Sequence, residues 1–232
     1  MTLQFRIGIG HLLDKRGLNM DLEHNRENEE VQSFGWDAIT AECERVYPEQ
    51  KNSKHYGTLI KWALGGKDPL DGISIYDGGD YWHFVTFGMS ELYEKESDDM
   101  EISGFGMEFT LKLKKAACED EEGEIRNICG ILQTIARITF MNGELFHAYE
   151  YVYTGQTQGM DSRQKSNITG FITIPDNQFR TIETPNGTVV FVSFIGVTNE
   201  ELLAIQHKEI TVEELYHTLG SDITDYNRKS VR

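Results

Sequence analysis

The stretch GISIYDGGDYWHFVTFG, residues 72 to 88, constrains this chain more than any other. Two apolar, β-branched and aromatic runs flank Asp77-Gly78-Gly79, and a glycine pair after an aspartate supplies the backbone conformations of a tight turn. Two strands must therefore lie antiparallel and side by side. Downstream, FGMEFTLKLKK places Phe105, Met107, Phe109, Leu111 and Leu113 on one face and Glu108, Thr110, Lys112 and Lys114 on the other. That alternation predicts a half-buried strand. Upstream, KHYGTLIKWALGG reads as a strand closed by a Gly65-Gly66 turn, and LFHAYEYVY, GFITIP and TVVFVSFIGV read as three more strands.

Helical spacing marks the other elements. Phe34, Ala38, Ile39, Cys43, Val46 and Tyr47 recur along one face until Pro48 ends the run. After the acidic CEDEEGE, a stripe of Ile125, Ile128, Leu132, Ile135 and Thr139, widened by Cys129 and Ala136, predicts a second helix with Gly143 as its C-cap. Thr198 with Glu201 and Thr211 with Glu214 form two capping boxes that open the closing helices. Strands and helices in mixed order make this an α+β fold, a mixed β-sheet packed with helices. Residues 1–33, polar after a short apolar start, read as a mobile arm or linker, residues 34–224 as the domain, and residues 225–232 as a loose basic tail.

The chain carries 38 acidic against 22 basic side chains, a net charge of −16. Such a surface repels phosphate backbones, which argues against nucleic acid as partner, and speeds encounter with a basic protein. No run is long and apolar enough for a membrane span, and MTLQFRIGIGHLLDKRG lacks the build of a secretory signal. Three widely spaced cysteines, Cys43, Cys118 and Cys129, give neither a disulfide framework nor a zinc knuckle, which predicts reduced thiols in the cytoplasm.

Candidate chemistry concentrates between residues 65 and 96. Gly65, Gly66, Asp68, Pro69, Asp71 and Gly72 are turn formers, the aspartates through side-chain capping of nearby amides. Asp68 and Asp71 with His55 and His83 also make a conceivable metal-dependent hydrolase. No HxH or HExxH spacing supports it, and neither a nucleophile elbow nor a phosphate loop is present. The residues predict a scaffold with no catalytic group, no metal and no cofactor. The Asn167 and Asn186 glycosylation sequons carry no meaning in a reduced chain.

FGWDAI, KHYGTLIKWALGGKDPLDGIS, YWHFVTFGMSELYEKE, SGFGMEFTLKLK and TPNGTVVFVSFIGVTNEEL, in this order and spacing, resemble the Suppressor of fused family. The resemblance runs from about Phe34 to the closing helices and implies the mixed α/β fold of the family's N-terminal domain. Eukaryotic members add a second domain and grip a strand-like peptide of Gli-type transcription factors between the two. Tyr93 matches the tyrosine of the family's S-x-L-Y segment beside that cleft, whereas Met100 stands nearest the family's acidic position, with Asp98 and Asp99 close by. Single-domain members resemble bacterial proteins, and the family is linked to immunity proteins that neutralise secreted toxins. The implied function is a non-enzymatic protein-binding module. Its partner-facing patch is Tyr93 with Glu91, Glu94, Glu96, Asp98 and Asp99, and its partner is a basic toxin or, alternatively, a strand-like peptide held by an adaptor.

Overall fold

A computed structural model describes residues 32–51 and 53–232, so the expected arm over residues 1–33 lies almost wholly outside the described residues. Chain order runs α1 (Phe34–Val46), β1 (Lys54–Gly57), a 3-10 turn (Trp62–Leu64), β2 (Gly72–Asp77), β3 (Tyr81–Phe87), β4 (Ile102–Lys114), α2 (Glu121–Asn142), β5 (Tyr151–Val152), β6 (Ile168–Pro175), β7 (Ile182–Thr184), β8 (Gly187–Thr198), α3 (Asn199–Gln206), α4 (Val212–Leu219) and β9 (Ile223–Thr224). The hairpin forms as its turn demands, with Ile75 opposite Phe84 and Asp77 opposite Trp82. The nine-stranded sheet has the order β1-β2-β3-β4-β8-β6-β5, with β7 on β8 and β9 on β4. β4 and β8 pair in parallel, and the other neighbours along the main path are antiparallel.

Helix α2 covers one face of this sheet. Its buried stripe of Ile125, Ile128, Cys129, Leu132, Ile135, Ala136 and Thr139 is the one its spacing predicts, and Gly143 caps it in the left-handed conformation. Phe84, Phe109, Leu111, Leu113 and Phe194 pack beneath it. The opposite face is divided. Around α1, Ile39, Cys43, Tyr76, Val85, Phe87 and Phe191 form one cluster. Around α3 and α4, Ile172, Ile174, Ile195, Val197, Leu202 and Leu215 form another. Both short helices open with the expected reciprocal capping boxes. Among the described residues no helix is long and apolar enough to cross a membrane.

Four expectations are corrected. The strand in KHYGTLIKWALGG stops at Gly57, which faces Gly72, the first residue of β2; one further bond, from the Thr58 amide to the Asp71 carbonyl at 3.0 Å, closes the pairing before the chain turns away. The strand in LFHAYEYVY shrinks to Tyr151–Val152, because Tyr149 takes a positive φ of 66° and turns the chain. The basic tail is fastened rather than loose: the Arg228 guanidinium donates to both Glu201 carboxylate oxygens at 2.6 Å and to the Gly196 carbonyl at 3.0 Å. Strand β4 is buried on both faces, because it lies mid-sheet between β3 and β8 with helices on either side.

The polar face of β4 therefore enters the core with its partners supplied. Lys112 pairs with Asp222 and donates to Asn177 Oδ1 at 2.7 Å, which holds the segment entering β9. Glu108, fully buried, accepts four hydrogen bonds: from Thr86 Oγ1 (2.6 Å), Gly88 N (3.0 Å), Ser90 N (3.0 Å) and Ser90 Oγ (2.7 Å). Burial raises the Glu108 carboxyl from 4.5 to about 6 against the pull of those bonds.

Removing Arg228 strands the buried Glu201 charge, so Arg228→Ala should cost about 3 kcal/mol or more in denaturant unfolding. A loss below about 0.5 kcal/mol would mean that the tail is not anchored. For Glu108, the folded state binds the proton more tightly than the unfolded chain. Its favourable contribution is therefore complete below the unfolded value and lost as pH rises through the folded one. The stability of wild type relative to Glu108→Gln should fall by about 2 kcal/mol between about pH 4.5 and about pH 7.5. A difference that does not change with pH contradicts the assignment.

Candidate functional site

The chain leaving β3 is shaped by Glu108. Gly88 adopts φ of 126°, and a side chain there would come within 2.7 Å of the Asp71 amide nitrogen, so only glycine fits. Ser90 is then tied twice to Glu108, and the next residue becomes a hub. Glu91 accepts from Lys95 Nζ (2.9 Å), from the Glu96 amide (2.8 Å) and from the Ser97 amide (2.5 Å). Burial would raise its pKa, but Lys95 and the two amides outweigh that and hold the carboxyl below its usual range. Lys95 also donates to the Ile102 (2.6 Å) and Asn186 (2.8 Å) carbonyls, which fastens the loop to the start of β4 and to the turn before β8.

Two further contacts complete the frame. The Leu92 carbonyl accepts the Gly35 and Trp36 amides, both at 3.1 Å, so the first turn of α1 rests on the loop. The buried Asn186 side chain donates to the Glu91 and Tyr93 carbonyls, both at 2.9 Å. Asn186 is a site residue that sequence reasoning missed: its place in a sequon drew attention to glycosylation instead of to its carboxamide. The Asn-Gly step at a hairpin turn was the available signal.

Tyr93 projects from this frame. Its hydroxyl donates to Asp71 Oδ2 at 3.0 Å, and Lys61 Nζ lies 3.8 Å from its ring centroid and 3.1 Å from the same carboxylate oxygen. Beyond it Glu94, Glu96, Asp98 and Asp99 are exposed. None of the four makes an ion pair among the described residues, and Asp99 accepts only the Glu101 amide in the side-chain contacts of this group, at 2.9 Å. The expected patch therefore splits: Glu91 is an internal brace, Tyr93 a half-buried pivot, and the other four carboxylates form the outward rim.

The turn residues also separate. Gly65 caps the 3-10 turn at φ of 85°, and a side chain on Gly66 would meet the Ile60 carbonyl oxygen at 1.9 Å. Pro69 is buried and Gly72 starts β2. The aspartates do not cap the turn as expected. Asp68 pairs with Arg137 at 2.8 Å, and Asp71 holds Tyr93 and Lys61. The hydrolase quartet does not assemble, since each member is engaged elsewhere. His55 Nδ1 faces Ser74 Oγ at 3.0 Å, while His83 is sealed in the core with Nδ1 2.8 Å from the Tyr47 hydroxyl and Nε2 3.4 Å from Asp176. Burial lowers the pKa of His83, which favours a neutral ring. Among the described residues no three His, Cys, Asp or Glu side chains stand together as a metal site.

The family model described as Suppressor of fused protein (SUFU) matches residues 66–229. The human and mouse proteins named Suppressor of fused homolog are each 32% identical over 185 residues, which covers 74% of this chain and 37% of theirs, so the chain spans little more than a third of these relatives. Among solved structures, the Sufu–Fu complex aligns with a TM-score of 0.72 at 28% identity, over 85% of this chain and 92% of that one. Drosophila Suppressor of Fused aligns with a TM-score of 0.72 at 27% identity, over 85% of this chain and 51% of that one. The chain belongs to the Suppressor of fused family.

Proposed function

We propose that this chain is a cytoplasmic, non-enzymatic protein-binding module that receives a basic partner on the Tyr93 loop. Neutralisation of a basic toxin by an immunity protein is the sharpest form of that role. The observation that carries the reading is the outward rim of Glu94, Glu96, Asp98 and Asp99, unpaired among the described residues and mounted on a loop braced from within by Glu91, Lys95 and Asn186. Carboxylates that neutralise nothing within the fold gain most from cations brought by a partner. The brace matters equally, because a preformed loop loses little conformational freedom on binding. The net charge of −16 extends the attraction beyond the loop and favours a steered encounter.

The family supports a binding role in general terms: a relative's fold is known from a complex with a second protein, Fu. The separate engagement of Asp68, Asp71, His55 and His83 supports binding over hydrolysis.

The test begins with capture of partners from the native host's lysate at low and at high salt. A basic protein retained at low salt and depleted at high salt is the expected result. With that protein purified, Asp98→Lys/Asp99→Lys should slow association about tenfold or more at low salt, with a smaller effect on dissociation. An association rate indifferent both to salt and to the reversals contradicts the reading.

A further inference from the structure

Three large apolar side chains stand in solvent within six residues of one loop. Leu59 is 101% exposed, Ile60 58% and Leu64 77%. Single exposed apolar residues need no explanation, but a cluster of this kind marks an interaction surface. The loop that carries them is firmly held. The Thr58 amide donates to the Asp71 carbonyl at 3.0 Å, and Thr58 Oγ1 donates to the Leu70 carbonyl at 2.5 Å. The Gly66 amide closes on the Lys61 carbonyl at 3.0 Å, and Trp62 packs edge-on to Phe140 at 5.7 Å between ring centroids. The fold thus holds these side chains outward on a fixed frame.

Behind the loop lies a cleft of about 530 Å³ against α2, lined by Tyr56, Leu59, Ile60, Cys129, Gly130 and Arg137 among others. At Gly130 no atom lies within 4 Å of where a Cβ would stand, so the helix presents bare backbone there. Arg137, the guanidinium at its edge, is already committed to Asp68 and to the Lys67 carbonyl. The cleft is of the size that receives an apolar anchor.

The loop is continuous with the acidic rim. Lys61, next in sequence to Ile60, lies on the Tyr93 ring and against Asp71, and Glu94 follows Tyr93 directly. Lys61, the cation at this junction, is thereby neutralised from within, and the four rim carboxylates are left for an outside cation.

We propose that the loop from Thr58 to Gly66 and the cleft behind it form an apolar anchor subsite, which takes a large apolar side chain from a partner segment whose flanking residues are basic. The proposal rests on the binding reading above and deepens it. An apolar centre beside a charged rim is the arrangement in which buried anchors give most of the affinity and charges give rate and register. Charge complementarity selects the occupant: Lys67 and the Asp68–Arg137 pair at the cleft itself are outweighed by the four unpaired rim carboxylates and the net charge of −16, which favour a segment with basic flanks.

The test uses the full 232-residue chain as bait for a displayed library of random 12-residue peptides. Enriched peptides should carry Leu, Ile, Phe or Trp between Lys or Arg residues. Fluorescence anisotropy with one such labelled peptide should show about tenfold or greater weakening in Leu59→Ser/Ile60→Ser. Because both positions are exposed, the pair should leave the unfolding temperature within a few degrees of wild type. Asp98→Lys/Asp99→Lys should weaken the same peptide and flatten its salt dependence. Binding lost on charge reversal but retained in the serine pair overturns the anchor and leaves the acidic binding site standing. Enrichment of peptides without the apolar-basic pattern overturns it too. So does a wild-type dimer that the serine pair splits into monomers, which assigns the loop to a second copy of the chain.

Discussion

The Glu108 carboxylate is the constraint from which the candidate site is built. It sits in the middle of the sheet, and three of its four hydrogen bonds come from Gly88 and Ser90, where the chain leaves β3. With that turn fixed, Glu91 is placed to gather Lys95 and the Glu96 and Ser97 amides, and Leu92 to receive the first amides of α1. One buried anion therefore sets the base of the loop that carries Tyr93 and the acidic rim. A charge in such a place costs stability at neutral pH, as its raised pKa records, and what it provides in return is a single arrangement of a polar loop that apolar packing alone would not specify.

The same device recurs where the chain must be pinned far from its own element. Glu42 on α1 is buried, pairs with Arg45 and accepts the Arg180 amide at 2.6 Å. Lys112 holds Asp222, and Glu201 holds Arg228 and the Val231 amide at 3.0 Å. Each ties a polar connection or tail to a regular element whose apolar side is already committed to a core cluster. Losing one member of such a set leaves its partner charged and buried, so these sites are the ones at which a single substitution is most damaging.

Period and turn chemistry made much of the fold legible. The hairpin at Asp77-Gly78-Gly79, the α2 stripe and both capping boxes are local signals, and each was readable without the rest of the chain. Five motifs in register supplied the family. What periodicity misread was burial of the second face: Glu108, Thr110 and Lys112 alternate like solvent-facing residues, yet Glu108 is met by Thr86, Gly88 and Ser90 from the end of β3, and the partners of Thr110 and Lys112, Asp176, Asn177 and Asp222, arrive from 65 residues or more downstream. In the candidate site, the sequence names Tyr93 and the four exposed acids together with Glu91, because an acid that binds amides and an acid that faces water look alike in sequence. Asn186 was passed over because its contacts lie 93 and 95 residues away.

A Tyr93 loop that binds as a braced platform must be preformed in the free protein, and residue-resolved amide hydrogen exchange tests that directly. The Gly88, Ser90, Glu96 and Ser97 amides, which donate to Glu108 and Glu91, should exchange at least about a hundredfold more slowly than an unstructured peptide, although all but the buried Ser90 lie at or near the surface. Exchange of these four amides at the unstructured rate would mean that the loop is not built before a partner arrives, and the central claim would fail.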